Sequence, residues 1–138
     1  MIIRTLNKND FHQIINLLKQ LSDSIKFDKN TFDLFINSLN KNHQIWIIEK
    51  NSMLIATGTI LIENKIIHNF GKVGHIEDII VDKENRNKKL GSKILRHLID
   101  IAKKENCYKV ILNCKDKYKN FYNKNKFIKK GLEMAIYF

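Results

Sequence analysis

Two adjacent carboxylates, Glu77 and Asp78, interrupt a run of branched apolar residues, Ile76, Ile79, Ile80 and Val81. Branched side chains suit a pleated, packed surface and are stiff in a helix, so the run reads as a buried strand. Neighbours in a regular strand point to opposite faces, so at most one acid can face the core unless a bulge re-aims the pair. Either the pair does chemistry, or one acid is solvated and the other is a paired structural group. The residues that follow, Arg86, Asn87, Lys88, Lys89, Leu90, Gly91 and Ser92, form a cationic loop. The loop runs into an amphipathic helix with Leu90, Ile94, Leu95, Leu98, Ile99 and Ala102 on one face. A helix N-terminus offers unpaired N–H groups and a positive dipole end, and Arg86, Lys88 and Lys89 add charge to a place already suited to phosphate. A merely solvated basic loop is the plain alternative.

The rest of the chain must position these groups. Ile2–Leu6 reads as a short edge strand, and Asn7 or Asn9 can cap a helix striped with Phe11, Ile14, Ile15, Leu17, Leu18 and Leu21. Ser22-Asp23-Ser24 follows that helix, in a kind of loop that often contacts substrate. Asp28 or Asn30 caps a second, short helix placed against the sheet edge. Gln44–Glu49 and Met53–Ile62 read as an antiparallel hairpin turned by Asn51-Ser52, and Glu63–Val73 as the connection to the central strand. Tyr108–Cys114 is a further strand, parallel to Ile76–Val81 because a helical crossover joins parallel neighbours. A short helix over 117–125 carries Phe121-Tyr122, and Leu132–Phe138 reads as a final strand. The expected order is β-α-α-β-β-β-α-β-α-β, a mixed sheet with helices on its faces.

With 138 residues, 16.3 kDa and 43% hydrophobic content, residues 1–138 are expected to form a single domain with a real core. No apolar run approaches the length of a membrane span and Met1–Arg4 is too short for a signal peptide, so a cytoplasmic protein is expected, with no membrane partner. Cys107 and Cys114 have no partner at metal-ligand spacing; reduced thiols are favoured over a disulfide in such a compartment. The net charge of +11 admits a polyanion partner, but only Arg4, Arg86 and Arg96 are arginines and the lysines are dispersed. No nucleic-acid partner is therefore expected; a small ligand with several phosphates explains the local cluster equally well.

A strand, a phosphate-binding loop and a helix in this succession hold acetyl-coenzyme A in the GCN5-related N-acetyltransferases (GNAT), which the chain resembles along its whole length. Lys65–His68, Gly74–Ile79, Cys107–Leu112 and Phe121-Tyr122 with Phe127 further resemble, in order and spacing, the blocks of the glucosamine 6-phosphate N-acetyltransferase branch. The resemblance implies an α/β GNAT fold, a mixed and mostly antiparallel sheet with a splayed central strand pair and helices on both faces. It implies transfer of acetyl from acetyl-coenzyme A, with no metal, to the 2-amino group of D-glucosamine 6-phosphate, a step toward UDP-N-acetylglucosamine.

Roles follow from the same resemblance. Ile79 N–H polarises the thioester carbonyl, and Ile79, Ile80 and Val81 bind the pantetheine arm as a mock strand. Residues 86–92 and Lys117 hold the rest of the coenzyme, while Tyr122 stabilises the departing thiolate. Glu77 and Asp78 hold the sugar and its ammonium, with Ser22, Lys65, His68 and Asn113 as further substrate contacts. A homodimer built through Met134–Phe138 is implied; a last strand folded onto its own sheet is the alternative. The competing functions are acetylation of another amine, such as a polyamine or peptide, and a basic coenzyme A- or nucleic-acid-binding module without turnover. Lys65 and His68 favour an anionic acceptor, and Glu77, Asp78 and Tyr122 together favour catalysis.

The chain departs from the family pattern in places. Asn87 and Lys89 stand where glycines are usual, so close backbone approach to a pyrophosphate requires them to adopt conformations that favour glycine, which Asn tolerates better than most. Asn113 replaces an aspartate, Tyr118 an asparagine, Asn125-Lys126 a cysteine-glycine pair and Tyr137 a basic residue.

Overall fold

The computed structural model describes all residues, Met1–Phe138. Five strands form one sheet in sequence order: β1 (Ile2–Thr5), β2 (His43–Lys50), β3 (Met53–Asn64), β4 (Lys72–Val81) and β5 (Cys107–Ile111). All neighbours are antiparallel except β4 and β5, which are parallel across a helical crossover.

Helices α1 (Phe11–Leu18) and α2 (Lys29–Ser38) cover one face and α4 (Leu90–Lys104) the other. A single helical turn, α3 (Ile67–Phe70), joins β3 to β4, and α5 (Lys119–Lys124) follows β5. Asn7 caps the entry to α1, where a 3-10 turn over Lys8–Asp10 closes a capping box with Asp10. Asp28 caps α2 by accepting from the Thr31 N–H at 2.7 Å. Asn51 and Ser52, at φ 50 and 60, make the two-residue turn between β2 and β3.

The core is split by the sheet. Leu6, Ile14, Leu17, Phe32, Ile47, Leu54 and Ile80 pack under α1 and α2. Ile60, Ile62, Ile76, Leu95, Leu98 and Ala102 pack under α4, beside Ile48, Ile55, Ala56, Leu90 and Ile94. Arg4 clamps the first corner, donating to Glu49 at 2.7 Å and to the buried Asp10 at 2.8 Å. Burial pushes the Asp10 carboxyl up, but the Arg4 guanidinium and the Asn7 N–H outweigh it and hold it below the usual range.

Three expectations need correction. The β3–β4 connection is shorter than Glu63–Val73, because Asn64 still pairs with Lys72. Helix α2 lies over a sheet face, with Phe32 in the core, instead of against the edge. Residues Leu132–Phe138 form no strand: they join no ladder, and Leu132, Met134 and Tyr137 are about nine-tenths exposed. A strand requires a bonded neighbour, and none lies beside this segment within its own chain.

Candidate active site

The central strand changes character half-way. On its β5 side, β4 is bonded only from Lys72 to His75, opposite Cys107 to Ile111. On its β3 side the ladder runs on to Val81, opposite Ala56. Ile76–Val81 therefore has a neighbour on one side and an open slot on the other. The expected strand Tyr108–Cys114 stops at Ile111 for this reason: Leu112, Asn113 and Cys114 diverge from β4.

A bulge sits within the one-sided half. Thr57 pairs with Ile80 and Thr59 with Glu77, so two steps along β3 face three steps along β4. Asp78 is the irregular residue, with φ 51 in the left-handed region. The consequence is visible in the packing. Ile76 and Ile80 are four apart and would share a face of a regular strand, yet Ile76 packs under α4 and Ile80 under α1. Glu77 follows Ile76 and takes the α1 face, and Asp78 lines a cavity on that same face. The bulge thus turns both carboxylates to one side.

Backbone direction follows from a single bond. Asp82 N–H donates to the Ile55 carbonyl at 2.9 Å, so in an alternating ladder Ile80 also faces β3 while Ile79 and Val81 face the slot. In agreement, the Val81 carbonyl accepts from Arg86 Nε at 3.2 Å. Gly58, opposite the bulge, was not singled out in the sequence. A Cβ there would stand 2.6 Å from Ile79 Cδ1 and 3.0 Å from Leu98 Cδ1, so any other residue would make the ends of those side chains shift. An isolated glycine inside the apolar run Met53–Ile62 was the available signal.

The cationic loop takes the shape that glycines would give it. Asn87 and Lys89 have φ 62 and 59. Asp82 anchors the loop by accepting from Asn85 Nδ2 at 2.8 Å and the Glu84 N–H at 3.2 Å. Gln20, beyond the end of α1, donates to Asp82 at 2.8 Å and accepts from the Lys83 N–H at 2.9 Å. These bonds with Gln20, then with Asn85 and Glu84, keep the Asp82 carboxyl below its ordinary value. Ser22 lies two residues past Gln20, its hydroxyl 2.6 Å from that of Ser24. Lys88 curls back onto the Glu84 carbonyl at 3.1 Å. Lys89 precedes α4 without capping it by its side chain, so the first N–H groups of that helix remain available.

Helix α5 packs against the first turn of α4. Phe121 lies against Gly91, where a Cβ would approach its Cζ to 3.2 Å, and Ser92 accepts from Asn125 Nδ2 at 3.1 Å. Gly91 and Ser92 thus serve helix packing as well as the loop. Tyr122 is half-buried beside Phe121 and Phe127. Burial raises its phenol above the ordinary value, and the nearby Cys114, Tyr118 and Glu77 reinforce the shift. Asn113 lines a cavity of about 280 Å³ together with Tyr122. Lys117 lies on the turn before α5, its ammonium 4.9 Å from the Tyr118 ring centroid.

Lys65 and His68 are not brought to this site within their own chain. Asn64 pairs with Lys72, five residues before Glu77, a separation of about 17 Å along a strand. Lys65 pairs with Glu63 at 3.2 Å, and His68 packs against Tyr108 with the rings tilted by 34° and their centroids 4.3 Å apart.

A mixed sheet splayed at β4, with a bulge, a left-handed basic loop and a phenol beside the gap, defines an acyl-coenzyme A-dependent transferase fold. The model of the acetyltransferase (GNAT) family matches residues 10–127. The chain is similar to glucosamine 6-phosphate N-acetyltransferase of Arabidopsis thaliana, at 39% identity over 99% of this chain and 95% of that one. It is also similar to glucosamine 6-phosphate N-acetyltransferase 1 of Dictyostelium discoideum, at 38% identity over 97% of this chain and 88% of the relative. The crystal structure of the Arabidopsis thaliana enzyme superposes with a TM-score of 0.93 over 99% of this chain and 97% of the other. The protein belongs to the GNAT family and, within it, to the glucosamine 6-phosphate N-acetyltransferases. Members of the family take acetyl-coenzyme A as co-substrate.

Proposed function

We propose that the protein transfers the acetyl group of acetyl-coenzyme A to the 2-amino group of D-glucosamine 6-phosphate, releasing N-acetyl-D-glucosamine 6-phosphate and coenzyme A. The observation that carries the reading is the bulge that turns Glu77 and Asp78 to one face beside a slot left open by β5. The names of the relatives supply the sugar.

In this reading the pantetheine arm lies along Ile79–Val81 in place of the missing strand, and its phosphates meet Arg86–Ser92 and Lys117. Glu77 and Asp78 hold the ammonium of the sugar and lower the barrier to its losing a proton. The free amine forms a bond to the acetyl carbon, Ile79 N–H stabilises the oxyanion, and the C–S bond then breaks. Tyr122 meets the thiolate. Its raised pKa keeps the phenol protonated, as a donor must be.

Ser22 and Asn113 approach the sugar from either side. Because Lys65 and His68 lie in the turn at the far end of the β3–β4 hairpin from Glu77, this reading puts the sugar phosphate at a boundary between two copies of the chain. The exposed apolar tail, with Met134, Ile136, Tyr137 and Phe138, joins those copies as a homodimer. The product feeds UDP-N-acetylglucosamine synthesis in the cytoplasm. No helix is long and apolar enough to cross a membrane.

The test is thiol release from acetyl-coenzyme A with glucosamine 6-phosphate, glucosamine, spermidine and a lysine peptide as acceptors. Release with the phosphorylated sugar alone is expected. Release with none of them, despite coenzyme binding, would favour the inert binding module.

A further inference from the structure

Residues 82–89 bend from β4 into α4 without a glycine among them, yet Asn87 and Lys89 hold φ of 62 and 59. A left-handed residue of this kind is disfavoured by about tenfold on its own, with asparagine the more tolerant of the two. Something outside the loop must therefore hold the path. The Asp82 N–H, bonded to the Ile55 carbonyl, fixes where the loop starts, and the Lys93 N–H, bonded to the Lys89 carbonyl, fixes where it ends. Between those ends, both hydrogen bonds from a side chain elsewhere in the chain come from Gln20. Its amide donates to Asp82 Oδ1 at 2.8 Å and accepts from the Lys83 N–H at 2.9 Å, so both of its polar atoms serve the loop. The other Asp82 oxygen accepts from Asn85 Nδ2 at 2.8 Å, and Asn85 Oδ1 accepts from Lys88 Nζ at 3.2 Å. A chain of polar contacts thus runs from Gln20 to Lys88, the residue between the two left-handed positions. Gln20 is itself held: it lies in the turn that ends α1, and its N–H donates to the carbonyl of the buried Leu17 at 3.2 Å.

We propose that Gln20 is a positioning residue for the coenzyme: it clamps residues 82–89 in a left-handed path that glycines would adopt without a clamp. The proposal rests on the reading that Arg86–Ser92 hold the coenzyme and is indifferent to the acceptor. Without the clamp the loop populates other conformations, and apparent affinity falls with the fraction that stays competent. Glycine enters the left-handed region about as readily as the right-handed one. The need for Gln20 should therefore fade when glycine stands at both strained positions.

The experiment is calorimetric binding of coenzyme A to the wild type, to Gln20→Met, to Asn87→Gly with Lys89→Gly, and to all three substitutions together. Gln20→Met keeps the length of the side chain and removes both bonds. In the native loop it should raise Kd by about tenfold, the population cost of one left-handed residue. In the glycine loop the same substitution should raise Kd by about twofold or less. The ammonium of Lys89 is missing from both members of that second pair, so its loss cancels. A residue needed only for the fold would cost the same affinity in either loop. If Gln20→Met melts below the assay temperature, Gln20→Lys goes through the same comparison: it keeps a donor for Asp82, leaves the Lys83 N–H without its acceptor, and should again hurt the native loop more. Unchanged affinity in the Gln20 variant, or an equal loss in both loops, would overturn the proposal and leave the coenzyme reading standing. Failure of the wild type to bind coenzyme A would overturn both.

Discussion

From Lys72 to His75, β4 is bonded on both sides; from Ile76 to Val81 it keeps only β3. Both halves hold a glycine contact, but of different kinds. Gly74, in the first half, faces Ala102 and Val110 where strand meets helix, and a Cβ there would meet Ala102 Cβ at a tight 3.2 Å. Gly58, opposite the second half, faces Ile79, where a Cβ would stand only 2.6 Å away. The two-sided half spends its backbone groups on the sheet. The one-sided half leaves those on its β5 side outside the sheet and relies on a bulge and on side-chain packing to stay in place.

The largest effect should come from closing that distinction. Gly58→Val crowds the Ile79 and Leu98 side chains beside the bulge: turnover should fall by about 100-fold if the Ile79 backbone moves by about 1 Å, with a stability loss of about 2 kcal/mol. Gly74→Ala should cost about 1 kcal/mol in denaturant unfolding and leave turnover nearly intact. If the two variants lose activity in equal measure, the halves do not differ in the way described.

Tyr122→Phe keeps the ring packing on Phe121 and Phe127 and removes the donor. We expect kcat to drop by about 100-fold with acceptor KM little changed. Tyr108→Phe, on β5 beside the two-sided half, is the matched control and should be silent. A parallel loss of acceptor binding in Tyr122→Phe would contradict a role in leaving-group departure.

The basic loop should show a smaller, salt-dependent effect. Lys88→Gln with Lys89→Gln should weaken coenzyme A binding by about tenfold at low salt, and the difference should shrink as salt rises, as for screened surface charge. Lys89→Gly separates charge from backbone: it loses the ammonium but relieves about 1 kcal/mol of left-handed strain, so the melting point should rise while affinity falls.

The smallest effect is a titration. Burial chiefly, and the Glu77 charge to a lesser degree, raise the Tyr122 phenol above its ordinary value of 10.0. Glu77→Gln should therefore move it part of the way down, leaving it above that value. Phenolate absorbance, with Tyr122→Phe subtracted, would show the shift. A group raised on folding stabilises the fold below its unfolded pKa, and this contribution disappears as pH climbs through the folded value. Wild type should accordingly lose slightly more stability than Tyr122→Phe on going strongly alkaline.

Much of this site was written in local chemistry. A helix period at Leu90–Ala102 and the branched residues of Ile76–Val81 forecast a helix on a strand, and Asn7 and Asp28 sit where caps belong. The adjacent acids posed the question of a bulge, but only pairing to Thr57 and Thr59 answered it. The loop was harder: Asn87 and Lys89 hold a glycine-like path that their own preferences oppose, imposed by Asp82, Asn85 and Gln20. Gln20 reaches Asp82 across sixty-two positions, which no local pattern encodes. The tail shows the opposite failure: its apolar residues suit a strand, but a strand is a relation between two segments, and this one has no partner in its chain.

The sequence by itself determined which segments are helix and strand, where the cations gather and which two acids stand together, because propensity, capping and periodicity act over a few residues. Tertiary structure alone decided that β5 parts from β4 after His75, that both acids face α1, and that Lys65 and His68 stay at the far end of the hairpin. Those outcomes depend on register and on packing between distant segments, where one extra residue in a strand reverses every side chain beyond it.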